Sequence, residues 1–112
     1  DEEKDPLLVN GSATPLAQEW KTGVTYRLRF IGITAAPRVE VSMLRGDTTL
    51  EWRPVAKDGA EFATRRAPTP AFQDISPGET YDYEFTPAEA GILTLRAREF
   101  GETRATMTIR VK

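Results

Sequence analysis

The run Val24-Thr25-Tyr26-Arg27-Leu28-Arg29-Phe30-Ile31-Gly32-Ile33 decides the fold class. Val24, Tyr26, Leu28 and Phe30 fall on one parity, while Thr25, Arg27 and Arg29 fall on the other. Successive side chains of an extended backbone point to opposite faces, so this segment reads as a strand with one core face and one wet face.

The same period of two recurs along the chain. It places apolar residues in register at Val39, Val41 and Met43, at Leu50 and Trp52, and at Tyr81, Tyr83 and Phe85. Leu93, Leu95 and Ala97 repeat it, as do Met107, Ile109 and Val111. With Leu7 to Val9 at the start and Phe72 to Ile75 in the middle, the pattern predicts seven or eight strands and almost no helix. Turn pairs punctuate the pattern at Asn10-Gly11, Gly46-Asp47, Asp58-Gly59, Pro77-Gly78, Ala90-Gly91 and Phe100-Gly101. That rhythm predicts an all-β antiparallel sandwich. One stretch, Ala60 to Pro70, lacks alternation and carries Pro68 and Pro70, which cannot occupy a central strand. It is expected to cross from one sheet to the other.

The chain has 112 residues, enough for one domain and one modest core. Residues 1–6 read as a charged lead-in or linker and residues 7–112 as the domain. Because the sequence opens on Asp1, a processed product or an excised piece of something longer is expected. The formal charge is −2, with 15 Lys and Arg against 17 Asp and Glu mixed along the chain. There is no basic stripe for a nucleic acid, and no apolar stretch approaches the roughly 20 residues that span a bilayer. The chain contains no His and no Cys. It therefore cannot build a Ser-His-Asp or Cys-His nucleophile pair, a zinc finger, a blue-copper centre or an iron-sulfur cluster. Nor does the missing Cys distinguish a reducing compartment from an oxidising one.

The outward positions of the strong strands carry charges in pairs: Arg27 and Arg29, Asp82 and Glu84, Arg96 and Arg98. Were these strands neighbours, the pairs would form cross-strand ladders of opposite sign. Asp82 and Glu84 are also the residue types of a glycosidase acid and base. An i, i+2 pair on an exposed strand face offers no burial to raise a general acid's pKa, so the ladder is the expected role. No EF-hand pattern is present, and Ser12, Ser42 and Ser76 lack the Gly-x-Ser-x-Gly setting of a nucleophile. Asn10-Gly11-Ser12 fits an N-glycosylation acceptor, although Asn-Gly is equally a favoured turn. Trp52 alternates in phase with Leu50 and is expected in the core. Trp20, between Glu19 and Lys21, is the better candidate for a partly exposed contact, with packing favoured even there.

Four pieces in order then carry a resemblance: Leu7-Leu8-Val9-Asn10-Gly11; Gly23 to Ile31; Trp52-Arg53-Pro54-Val55-Ala56-Lys57-Asp58-Gly59; and Pro77-Gly78-Glu79-Thr80-Tyr81-Asp82-Tyr83-Glu84-Phe85. Together they resemble the middle, copper-free, cupredoxin-like domain of a laccase-type three-domain multicopper oxidase. The resemblance implies a Greek-key β-sandwich in which Asn10, Gly11, Tyr26, Arg27, Arg29, Trp52, Lys57, Asp58, Gly59, Gly78, Glu79 and Asp82 are architectural residues. In that family the copper ligands are Cys, His and His-x-His pairs of the first and last domains, and no residue here matches them.

The resemblance further implies no catalytic, cofactor or metal residue in this chain. It implies copper only in the parent's other domains, neighbouring copper-bearing domains of the same polypeptide as partners, and a periplasmic or extracellular setting. The chain would space and orient those domains in an oxidoreductase that couples substrate oxidation to dioxygen reduction. The alternative is an immunoglobulin or fibronectin III-like binding or adhesion module of a secreted protein, with loops such as Ala60 to Pro70 as its recognition surface.

Overall fold

The computed structural model describes residues 7–9, 17–32 and 38–112. Among them the chain forms twelve strands and no helix. These are β1 (Leu7–Val9), β2 (Ala17–Trp20), β3 (Tyr26–Ile31), β4 (Val39–Arg45), β5 (Thr48–Thr49) and β6 (Glu51–Lys57). They continue with β7 (Ala60–Glu61), β8 (Thr69–Pro70), β9 (Phe72–Ile75), β10 (Thr80–Phe85), β11 (Gly91–Glu99) and β12 (Glu102–Val111). The first sheet has the order β1-β3-β10-β6-β7 with β8 also on β6; the second has the order β2-β12-β11-β4-β5 with β9 also on β4. The chain changes sheet between β1 and β2, β2 and β3, β3 and β4, β5 and β6, β8 and β9, β9 and β10, and β10 and β11. This is the cupredoxin-like Greek-key sandwich.

Two features depart from the sequence expectation. The pairing is not wholly antiparallel, because β1 runs parallel to β3 and β2 parallel to β12. The strand number also exceeds seven or eight: β5, β7 and β8 are two-residue pieces, too short to show a period, and β2 offers only Trp20 as a large inward residue. Pro54 sits inside β6 without breaking it. It lies between the positions paired with β8 and those paired with β7, where the register with β10 also shifts.

The alternating residues meet as expected. Tyr26, Leu28 and Phe30 of β3 and Tyr83 and Phe85 of β10 pack against Val41 and Met43 of β4, Leu93 and Leu95 of β11 and Ile109 of β12. Aromatic rings fill the widest part. Trp52 stacks on Tyr83 at 4.3 Å between centroids, and Phe30 lies 5.3 Å from Trp52. A second stack joins Trp20 to Tyr26 at 4.2 Å with the planes 8° apart. Trp20 is thus buried, 3% exposed, in the packing role favoured for it and not at an exposed contact. Its partner across the sandwich is Tyr26, 6 residues on, and that pairing is visible only when β2 docks beside β12.

The Ala60 to Pro70 excursion, expected to cross between the sheets, instead begins and ends on the first sheet, and the crossing comes just after it. It pairs with β6 at both its ends, through β7 and β8, and then passes at the fully buried Ala71 into β9 of the second sheet. The other crossing, from β5 to β6, runs beside it. Ala71 N–H donates to the Leu50 carbonyl at 2.8 Å, Met43 N–H to the Ala71 carbonyl at 3.0 Å, and Leu50 N–H to the Met43 carbonyl at 3.0 Å. Three backbone N–H groups and three carbonyls are thereby satisfied where the chain passes between the sheets.

At the end of β3 the backbone of Gly32 approaches the β9–β10 connection. Gly32 N–H donates to the Glu79 carbonyl at 2.9 Å, and its own carbonyl accepts Gly78 N–H at 2.8 Å. A Cβ at this position would run into the Ser76 carbonyl and the Ile75 side chain. Gly32→Ala is therefore expected to destabilise the chain by about 1–3 kcal/mol through overpacking against backbone. Urea unfolding followed by tryptophan fluorescence checks this; an unchanged midpoint would show that the connection yields freely.

Candidate functional site

β10 lies between β3 and β6, and its outward residues face arginines on both sides. Asp82 is opposite Arg29, while Glu84 is opposite Arg27 and Arg53. The Asp82 carboxylate accepts Arg27 Nε at 3.0 Å and Arg29 Nε and Nη2 at 3.0 and 2.9 Å, with Arg27 Nη2 at 2.8 Å. Arg27 also reaches Glu61 at 3.6 Å, and Arg53 pairs with Glu84. The ladder expected for Arg27, Arg29, Asp82 and Glu84 is present. Its centre is nevertheless not exposed: the Asp82 side chain is 2% accessible.

That burial corrects the picture of an open carboxylate pair and makes acid chemistry less available. Burial by itself pushes the Asp82 carboxyl up, but the hydrogen bonds and charges of Arg29 and Arg27 outweigh it and hold the group below the ordinary carboxylate range. A doubly donated carboxylate of this kind stays ionised and cannot deliver a proton. Arg96 and Arg98 are not in this ladder. They belong to β11 of the other sheet, where Arg96 faces Ser42 and Thr106, and Arg98 faces Glu40 and Thr103. The sequence shows that they point outward but not which sheet they leave from.

The second cluster joins two turns. Asp58 and Gly59 both have positive φ, 51° and 83°, as a two-residue hairpin between β6 and β7 requires. Asp58 Oδ1 accepts Thr80 N–H at 2.9 Å, and Asp58 N–H donates to the Thr80 carbonyl at 2.7 Å. On the facing turn, Gly78 has φ 87° and Glu79 Oε1 accepts Ser76 N–H at 2.8 Å. Lys57 Nζ closes the cluster, 3.2 Å from Glu79 and 3.5 Å from Asp58. The backbone donors Thr80 and Ser76 hold the Asp58 and Glu79 carboxyls low, and the hydrogen bond to Glu79 holds Lys57 high. These groups are ionised and occupied with one another; the cluster fastens turns.

Tyr26 and Trp52 are core residues, and the Tyr26 hydroxyl accepts Lys21 N–H at 2.8 Å. Asn10 and Gly11, with the acceptor pattern through Ser12, lie outside the described residues. A feature that sequence reasoning missed joins the two sheets: the buried Tyr83 hydroxyl donates to Gln73 Oε1, and burial pushes Tyr83 above its ordinary value. A single Gln on a short edge strand gives no periodic signal to find. Phe62, Pro70, Phe72, Tyr81 and Tyr83 help to line an apolar cleft of about 370 Å³ beside it. Among the described residues no three His, Cys, Asp or Glu side chains converge as a metal site would require.

No family profile matches the sequence, and no curated protein matches it. The fold does have counterparts among solved structures. A multicopper oxidase superposes over 85% of this chain and 32% of its own, with TM-score 0.67 and 13% identity. The blue copper oxidase of Nitrosomonas europaea covers 88% of this chain and 30% of its own, with TM-score 0.65 and 21% identity. A laccase-like multicopper oxidase of the lignin-degrading bacterium Ochrobactrum covers 88% and 21%, with TM-score 0.63 and 20% identity. The chain thus spans a third or less of the length of each of these structures.

Asp82→Asn is expected to cost about 2–3 kcal/mol at neutral pH, since it leaves two guanidinium groups facing a neutral amide. The group's folded pKa lies below its ordinary value of 3.8, so its contribution is complete above that value and lost as pH falls through the folded one. Denaturant midpoints of the variant and the unmodified chain should therefore differ at pH 7 and converge in strong acid. A pH-independent gap would assign the loss to packing instead.

Proposed function

We propose that this chain is the copper-free middle domain of a laccase-type three-domain multicopper oxidase, with residues 7–112 as the domain and residues 1–6 as its lead-in. Its task is to space and orient the copper-bearing domains of a periplasmic or secreted oxidoreductase. One observation carries the reading: a sandwich that superposes on multicopper oxidases over 85–88% of its length is built from a sequence with no His and no Cys.

Copper does not fit the residues present. Histidine and cysteine, the nitrogen and thiolate donors that suit the metal, are absent, and the carboxylates of the two clusters are already taken by arginine, lysine and backbone N–H groups. What the chain offers is rigidity. Stacked rings lock the interior, Asp82 ties β3 to β10, and Lys57, Asp58 and Glu79 pin two turns at one end. A spacer needs these properties, because neighbouring sites are held in register only as well as the body between them resists bending.

The binding-module alternative loses its indole platform, because Trp20 and Trp52 are 3% and 1% exposed. Titration with polysaccharides should accordingly leave the tryptophan emission unchanged, and a saturable shift would favour a binding module.

The proposal is tested by reading the coding sequence on both sides of this segment and measuring metal in the full polypeptide. His-x-His pairs upstream, Cys and further His downstream, and bound copper are expected. Equilibrium dialysis of the 112-residue chain against copper should show no saturable site. Flanks without those ligands, or a stoichiometric copper site on this chain, would overturn the assignment.

A further inference from the structure

The chain has no Cys, so no thiol is present to take up an oxidising equivalent, and its two Trp and three Tyr are the ready one-electron donors. These five rings form two stacks. One is Trp20 on Tyr26. The other is a row of three, with Trp52 against Tyr83 at 4.3 Å and Tyr83 beside Tyr81 at 6.5 Å, the last two planes 14° apart. Electron transfer between rings falls off steeply with separation, so rings in contact exchange an electron far faster than isolated ones. The row leads outward. Trp52 and Tyr83 are buried, whereas Tyr81 is half-buried, and both tyrosines open on the apolar cleft.

A phenol gives up an electron readily only when its proton leaves with it, so the proton partners decide where an oxidation comes to rest. Along this row they improve from the core outward. Trp52 Nε1–H is buried and has no acceptor among the described residues, so an oxidised indole there keeps its proton and stays a strong oxidant. Tyr83 O–H donates to Gln73 Oε1, a neutral amide oxygen that is no base near neutral pH. Tyr81 O–H donates to the Glu79 carboxylate at 3.3 Å, which can accept the proton outright. Lys57 Nζ lies 3.2 Å from Glu79 and 5.3 Å from the centre of the Tyr81 ring. Its charge keeps the carboxylate ionised and disfavours a cationic ring, so the oxidised form of Tyr81 is the neutral radical. The other stack lacks such an ending: the Tyr26 hydroxyl accepts Lys21 N–H and touches no carboxylate among the described residues.

We propose that Trp52, Tyr83 and Tyr81 form a route that carries a one-electron oxidation of the core out to the surface, with Glu79 as the proton acceptor. An oxidant of the oxygen-derived radical class takes one electron from the Trp52 indole. An electron from Tyr81 then crosses the Tyr83 ring to Trp52 and restores the neutral indole, while the phenolic O–H bond of Tyr81 breaks and its proton passes to Glu79. A neutral phenoxyl radical is left at Tyr81. A reductant of the phenol or thiol class, entering by the cleft, returns a hydrogen atom to the Tyr81 oxygen, and Glu79 releases its proton to water. Tyr83 is the bridge and holds no charge for long, because its proton has nowhere to go. The route uses this chain's own residues and does not rest on the reading of the chain as one domain of a larger oxidase.

Laser photoionisation at the red edge of the indole band tests this on the 112-residue chain, with hexaamminecobalt(III) taking up the ejected electron and transient absorption as the readout. The tryptophan radical should decay as a tyrosyl radical grows in, and that growth should slow in deuterium oxide because a proton moves with the electron. Tyr81→Phe, which keeps the ring and its packing, should lose the tyrosyl signal and lengthen the life of the tryptophan radical. Tyr83→Phe, which keeps the bridging ring, and Tyr26→Phe, in the other stack, should both retain it. Should Tyr81→Phe fail to fold, Glu79→Gln removes the base while keeping the shape and must slow the growth by itself. A tyrosyl signal that survives Tyr81→Phe, one that vanishes with Tyr83→Phe or Tyr26→Phe, or a rate untouched by Glu79→Gln would overturn the proposal. Flanks lacking the copper ligands would remove the functional reading and leave this result standing.

Discussion

Two guanidinium groups share one carboxylate at the middle of the first sheet, and much of the molecule is arranged around that contact. Asp82 sits on β10, between β3 and β6. Its outward side chains neutralise β3 and β6, its inward Tyr83 and Phe85 complete the aromatic core, and its first residue, Thr80, anchors the Asp58 hairpin. Removing water from Asp82 is unfavourable alone, and the arrangement succeeds because Arg27 and Arg29, both on β3, supply donors at hydrogen-bond distance. The register of β3 against β10 is therefore specified twice, by apolar residues inside and by charge outside. A slip of one residue would send rings to solvent and bring arginines into the core.

The sequence displayed this fold through its long alternating strands. The parity of Tyr26, Leu28 and Phe30 names the core face of β3, and the same reading holds for β4, β10, β11 and β12, whose inward residues prove buried apart from the half-buried Tyr81. The excursion between Ala60 and Pro70 was legible because two prolines rule out a central strand. What stayed hidden depends on partners distant in sequence. Trp20 looks like loop between Glu19 and Lys21 until β2 is laid beside β12. Asp82 reads as an exposed carboxylate until Arg27 and Arg29 fold over it, and Arg96 reads as a ladder cation until β11 is assigned to the other sheet. A period of two tells which side of a strand a residue occupies; it carries no information about which strand lies next to it.

The interior of the sandwich is held without any metal ligand of the histidine or cysteine type. Its integrity comes from stacked indole and phenol rings, a buried ion cluster and turn residues of defined φ, none of which calls for a metal. Fold alone therefore does not transfer an activity, and the absence of copper donors is compatible with a well-determined interior.

The paired crossings at Leu50 and Ala71 bear on how the chain reaches this state. Each is a place where a strand leaves one sheet for the other, and the two are stitched together by three backbone hydrogen bonds that also involve Met43. Only the Leu50–Met43 bond is local, closing the β4–β5 hairpin; the two that involve Ala71 must wait until that hairpin and the end of the long excursion meet, so most of the corner gives no early reward to a searching chain. Loop-closure entropy must be met before the stitch closes, which puts the molecule among slow, non-local folders with rates on the millisecond-to-second scale. During that interval the edges of β6 and β9 lie open. The corner that makes the finished body stiff is thus also where a partly folded chain is most exposed to pairing with another.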